Sequence, residues 1–242
     1  MTDNNRSQHN ITRMLRRLII YNVTDPLDET SRDTCDYTEY FTGTNAIGQI
    51  NYLERKITST GRCIVKVSGV TKTITTDYTL DRNAGTITWV LAQPATTDNI
   101  EVTYRSRKPW VYDDHPFLNT NTFPRITVDL VRSEYTPPGL MTYQNYNSGT
   151  GDYIKSTYKI IVRNRQSNTE YVYNSVHLKN FDLVSAIKEQ IQSYFDTNRY
   201  PSVWQFNDWI VVDSNRVRTE EDSGIFRYDI TLVTEHFDRL GL

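Results

Sequence analysis

Two cysteines, Cys35 and Cys63, are all that the 242 residues contain. That is too few for a disulfide framework, and neither has further ligands at zinc-binding spacing. Free thiols are expected, as in a chain kept in a reducing compartment. An excess of charge is also lacking: 27 Lys and Arg against 29 Asp and Glu leave a formal net charge of -2. A dedicated nucleic-acid binder needs surplus cations to neutralise phosphates, so that class is set aside, although passage of nucleic acid in transit is not. No run approaches the ~18 apolar residues of a membrane-spanning helix, and the first residues carry no apolar segment of a secretory signal. The expected place is the cytosol, or a particle assembled there, with no membrane partner.

Recognisable chemistry is the next absence. The four histidines, His9, His115, His177 and His236, are scattered, and none stands beside a Ser or Cys in a nucleophile motif. Asp113-Asp114-His115 offers metal donors, but neighbours on an extended segment point in different directions, so a solvated acidic loop is the favoured reading. Glu220-Glu221-Asp222 reads as a wet turn. Gly149-Thr150-Gly151 is not followed by the helix that a phosphate cradle requires. The chain is therefore read as a non-enzyme, with no catalytic residue, cofactor or metal.

What the sequence has is tyrosine, seventeen of them, with frequent Thr and Asn and a modest 37% of hydrophobic residues. Tyr and Thr suit strands, and Tyr adds large amphipathic contact area, so a β-rich protein with much interfacial surface is expected. The length allows one or two domains.

Residues Met1 to Asn10 are polar and read as unstructured, and Ile11, Met14, Leu15, Leu18 and Ile19 then recur at helical spacing until Asp25-Pro26. Arg13, Arg16 and Arg17 among them are read as an ordinary solvated or subunit-facing side. Asp28 to Tyr52 carries no clear pattern. From Cys63 to Tyr104, short runs such as Cys63–Val67, Thr86–Val90 and Ile100–Tyr104 alternate with turn signals at Ser68-Gly69 and Asp81–Gly85. This rhythm predicts a small meander or sandwich.

Strand patterning returns at Ile126–Val131 and Tyr158–Arg163. Between them lies a long polar connection, Ser133 to Ser156, whose tyrosines favour a contact loop or an extended hairpin. Leu183, Val184, Ile187, Ile191, Tyr194 and Phe195 form a helical stripe with Asp182 as its expected N-cap. Strands at Asp208–Asp213 and Ile225–Val233 follow, and Phe226, Tyr228, Ile230 and Leu232 share one face of the last. The fold class predicted is α+β: an antiparallel sheet covered by helices on one face, plus an inserted small all-β domain. The division is residues 1–34 as tail and first helix, 35–107 as the insert and 108–242 as the main domain.

Two resemblances follow from these stretches. Val65–Val70, Asp77–Asp81, Gly85–Trp89 and Asp98–Tyr104 resemble the small all-β modules of tailed-bacteriophage virion proteins. The order helix, strand, projecting hairpin, strand, long helix and two closing strands resembles the tail terminator, or tail-completion, proteins of tailed phages. The corresponding stretches are Ile11 to Val23, Arg125 to Val131, Thr136 to Asp152, Tyr158 to Arg163, Asp182 to Phe195 and the strands from Asp208 and Ile225.

That resemblance implies a structural subunit forming a homo-oligomeric ring, a hexamer, at the head-proximal end of the tail tube. It implies as partners the tail tube protein and head-completion, connector or neck proteins, with genome DNA only in transit, and a place in the virion tail or neck. The expected tube-contact loop comprises Tyr135, Leu140, Met141, Tyr143, Tyr146 and Tyr153, and the expected ring-contact or lumen charges are Arg163, Arg165, Arg216 and Arg218. Two alternatives stand beside it. One is a head-to-tail adaptor or other neck or collar protein. The other is a carbohydrate-binding adhesion module using Trp89, Trp110 and tyrosines as stacking surfaces.

Overall fold

The computed structural model of the chain describes residues 4–27, 32–45, 48–90, 94–97, 99–113, 123–136, 151–198, 206–217 and 224–239. Helix α1 (Asn4–Asn22) is followed by strands β1 (Thr34–Thr42), β2 (Ile50–Tyr52), β3 (Cys63–Val67), β4 (Val70–Thr71), β5 (Tyr78–Asp81), β6 (Thr86–Trp89) and β7 (Asn99–Arg107). Next come β8 (Val111–Tyr112), β9 (Arg125–Thr136), β10 (Gly151–Arg165), β11 (Tyr171–Tyr173) and β12 (Val176–Leu178). Helix α2 (Asn180–Thr197), β13 (Phe206–Val217) and β14 (Ile225–Arg239) complete the order. The chain divides into two compact units, Met1–Pro26 with Trp110–Leu242, and Leu27–Pro109.

The first unit is built on one sheet in the order β13-β14-β10-β9-β8, antiparallel except where β8 joins β9. Its alternation is the predicted one. Tyr158, Ile160 and Val162 of β10 and Ile230 and Leu232 of β14 are buried on the face that both helices cover. Leu183, Val184, Ile187, Ile191 and Phe195 of α2 meet that face, and each such side chain contributes roughly 1.5–3 kcal/mol on full burial. Leu15, Leu18 and Ile19 of α1 join the same core beside Ile126 and Val128 of β9. Burial pushes the Tyr158 phenol up to about 12. Trp209 of β13 closes the far end, its indole N–H donating to the Phe195 carbonyl at 3.0 Å.

Several expectations are corrected. Helix α1 starts at Asn4, inside the stretch read as unstructured, because a nucleated helix propagates through polar residues at little cost. Asp182 is not the N-cap of α2. Lys179 occupies that position without a side-chain hydrogen bond, and Asp182 lies in the first turn, where its charge complements the helix dipole. The four long strands outrun their apolar cores, since polar ends still satisfy backbone groups across the ladder. The β11–β12 hairpin, turning on left-handed Asn174 and Ser175, carries no pattern that announced it.

The second unit is a small sandwich. Sheets β1-β7-β3-β4 and β2-β6-β5 enclose Val65, Val67, Tyr78, Ile87, Trp89, Ile100, Val102 and Tyr104. The predicted turn at Asp81 is an Asx turn: its carboxylate accepts from the Asn83 and Ala84 amides, both at 2.9 Å. The boundary falls earlier than residue 35. The Lys108 amide donates to the Asp33 carbonyl at 2.8 Å and the Arg107 guanidinium to the Arg32 carbonyl at 2.9 Å, which ties the two ends of the unit together.

Candidate functional site

On the face of the first unit's sheet turned away from the helices, alternation places every second residue of four strands. Arg125, Arg163 and Arg227 stand in one cross-strand row of β9, β10 and β14. Arg125 and Arg163 are only 4% and 6% exposed. Like charges directly opposite each other on a sheet are destabilising, so a row of three guanidiniums opposes folding unless anionic groups balance it. The next row holds one such group. Asp229 lies between Arg227, which grips it through Nε at 2.5 Å and Nη2 at 2.8 Å, and Lys159, whose Nζ is 2.9 Å away. Burial alone would raise the Asp229 carboxyl, yet the hydrogen bonds and charges of Arg227 and Lys159 outweigh it and hold the group below the ordinary aspartate range. Thr127, in the same row as Asp229, is fully buried, and its hydroxyl has no hydrogen-bond partner among the described residues.

Of the four arginines singled out from the sequence, Arg163 belongs to this row and Arg165 follows it on the same face, exposed at the end of β10. Arg216 is on the opposite face. It pairs in register with Tyr228, and its guanidinium lies 3.9 Å from the centre of the Phe181 ring, which in turn stacks on Tyr228. Arg218 lies outside the described residues. Arg125 and Arg227 were missed because each looks like an ordinary polar position of a strand. Only the register of three strands places them beside Arg163.

Of the expected contact loop, Leu140, Met141, Tyr143 and Tyr146 lie outside the described residues. Tyr135 and Tyr153 belong to the ends of β9 and β10, where Tyr135 pairs with Ile154 and Tyr153 with Thr136. The described parts of the connection are thus the paired ends of two long strands, with Thr136 opposite Tyr153.

Other candidates resolve simply. Asp113 is held by Arg16 at 2.6 Å, whereas Asp114, His115 and residues 220–222 lie outside the described residues. Among the described residues no group of three His, Cys, Asp or Glu stands together, and no helix is long and apolar enough to cross a membrane. Both cysteines are free, and burial, opposed by the Arg82 charge, pushes the Cys63 thiol up to about 11. Trp89 is 1% exposed with its indole N–H bonded to Asn51 at 2.7 Å, and Trp110 is 5% exposed. Neither can lay an open ring face on a sugar. Comparison with known proteins brings no match to any family model, curated protein or solved structure.

Proposed function

We propose that this chain is a structural virion subunit that forms a ring at the head-proximal end of a phage tail tube, ends tube polymerisation and joins tail to head or neck. The observation that supports the reading is the layering of the first unit. A helix, a long hairpin of β9 and β10, a second helix and the closing strands β13 and β14 make one antiparallel sheet with both helices on one face. That is the element order on which the resemblance to tail terminators rests, with the sandwich of the second unit set between the first helix and the hairpin.

The physical logic is that a tube of stacked β-rich rings has a template-like growing end. A terminator fits that end with one surface and offers an opposite surface that another tube ring cannot match. The projecting β9–β10 hairpin is the part assigned to the adjoining ring. Of the charges assigned to ring contacts or a lumen, Arg165 and Arg216 are exposed and keep that assignment, whereas Arg163 is buried beside Arg125 and cannot reach a neighbouring subunit. Burial of Trp89 and Trp110 takes the two tryptophans out of the adhesion-module reading, which then rests on tyrosines alone.

Mass photometry of the purified chain, with negative-stain imaging of its mixture with tail tubes, tests this function. Multi-subunit rings seated at one end of each tube are the expected result. A monomer at all concentrations that leaves tube ends bare would overturn it.

A further inference from the structure

Among the described residues, the sheet of the first unit has two open edges. β13 pairs on one side only, with β14, and β9 is covered by β8 only at Ile126 and Thr127. A long strand edge is a template for another chain, and proteins that stay solitary protect such edges with charge, proline or covering segments. Both edges here expose aliphatic side chains among their charged ones: Leu130 and Val131 on β9 are 37% and 62% exposed, and Ile210 and Val212 on β13 are 40% and 61% exposed.

These two patches lie at the same level of the sheet. Leu130, Tyr158, Leu232 and Val211 form one cross-strand row, and Arg132, Thr157, Val233 and Ile210 form the next. Val131 is the extra residue of a bulge in β9 between these rows, and Val212 is the extra residue of a bulge in β13 one row away. A bulge interrupts flat pairing and turns its side chain out of the ladder, so each edge fits a shaped partner better than an arbitrary strand. The neighbours Arg132 and Asp213 are both exposed and opposite in charge.

Strand direction points to the occupant. The four strands β9, β10, β14 and β13 alternate, so the two outer ones run in opposite senses. A second copy displaced along the hydrogen-bonding direction brings its β9 antiparallel to β13 of the first, and the alternation continues unbroken.

We propose that copies of this chain join edge to edge, β13 of one against β9 of the next, with the bulged Val131 of one edge meeting the bulged Val212 of the other. This rests on the ring-forming reading above and names the surface that closes the ring. The contact is heterologous: each added copy leaves one edge of each kind open, and only closure satisfies both.

The test uses the full chain with V131K, V212K and, as a control on another exposed valine, V176K. Analytical ultracentrifugation is expected to show assembly by the parent and by V176K. V131K and V212K should each lose assembly at least tenfold, with unchanged thermal unfolding midpoints. An equimolar mixture of V131K and V212K should give a dimer, because one retains a working β13 edge and the other a working β9 edge.

Assembly of both lysine variants like the parent overturns the edge contact and leaves the ring reading standing. So does absence of the dimer when each variant alone is monomeric, or a monomeric parent that still seats on tube ends. A monomeric parent that also leaves tube ends bare overturns both. If a lysine variant fails to fold, V131C with V212C in a C35S/C63S background gives the second measurement. A covalent ladder beyond dimer on oxidation supports the contact, and its absence from an assembled sample overturns it.

Discussion

Asp229 is held by two cations on a sheet face where three arginines share a row, so its carboxylate offsets repulsion that the backbone register imposes. Replacing it by Asn in D229N keeps the shape and removes the charge. The expected loss is about 1.5–3 kcal/mol of unfolding free energy, the range for hydrogen bonds to charged groups, read from urea titration at pH 7. The sign with pH follows from the lowered carboxyl. The stabilisation is complete above the ordinary aspartate value of ~3.9 and disappears as pH falls through the lower folded value, so parent and D229N should converge in stability in that acid range. Cys63 carries a second residue-scale expectation. With its thiol pushed up to about 11, alkylation at pH 8 in the folded C35S variant should be slow and should accelerate sharply on unfolding, as followed by mass spectrometry.

At the scale of elements, α2 was the most legible part, because an apolar stripe at helical spacing has one physical use in a chain with a one-sided sheet. Ile187 is fully buried at the centre of that stripe. I187D should cost at least ~4 kcal/mol by placing a charge in the core, and the circular dichroism melt should lose its cooperative transition. The cap was misplaced because Asp182 has a capping side chain, whereas the actual helix start at Asn180 follows the chain's exit from the β11–β12 hairpin. That hairpin turns through two left-handed residues, Asn174 and Ser175, at φ of 49° and 67°. Glycine takes this conformation without penalty, so S175G should raise stability by roughly 0.5–1 kcal/mol in the same titration. Strand β1 escaped the sequence reading for a different reason. Its one buried side chain is Glu39, whose carboxylate accepts from the Tyr104 hydroxyl and the Glu54 amide, so no apolar alternation marks the strand.

At the scale of the whole molecule, the second unit has its own core, and its ends are joined by the hydrogen bond between Lys108 and Asp33. A fragment spanning residues 27–109 is therefore expected to fold alone, with dispersed amide resonances and a cooperative melt; a collapsed, undispersed spectrum would contradict that autonomy. The division into an α+β unit and a β insert was readable because turn signals and strand lengths change rhythm near Cys63 and again near Pro109. Residues 27–34, which have no such rhythm, fall with the second unit, where the Lys108 amide donates to the Asp33 carbonyl and the Arg107 guanidinium to the Arg32 carbonyl.

Local periodicity by itself determined which residues face the core: the helix stripe, the alternating faces of β10 and β14, and the turns at Ser68-Gly69 and Asp81. These depend on spacings of a few residues, which the chain carries wherever it folds. Tertiary structure alone decided what lies beside what across strands. The row of Arg125, Arg163 and Arg227, the separation of Arg216 to the other face and the shared level of Val131 and Val212 all depend on register between strands far apart in the chain. A shift of one residue would turn each side chain to the opposite face, and the burial of both helices against one face is what sets that register.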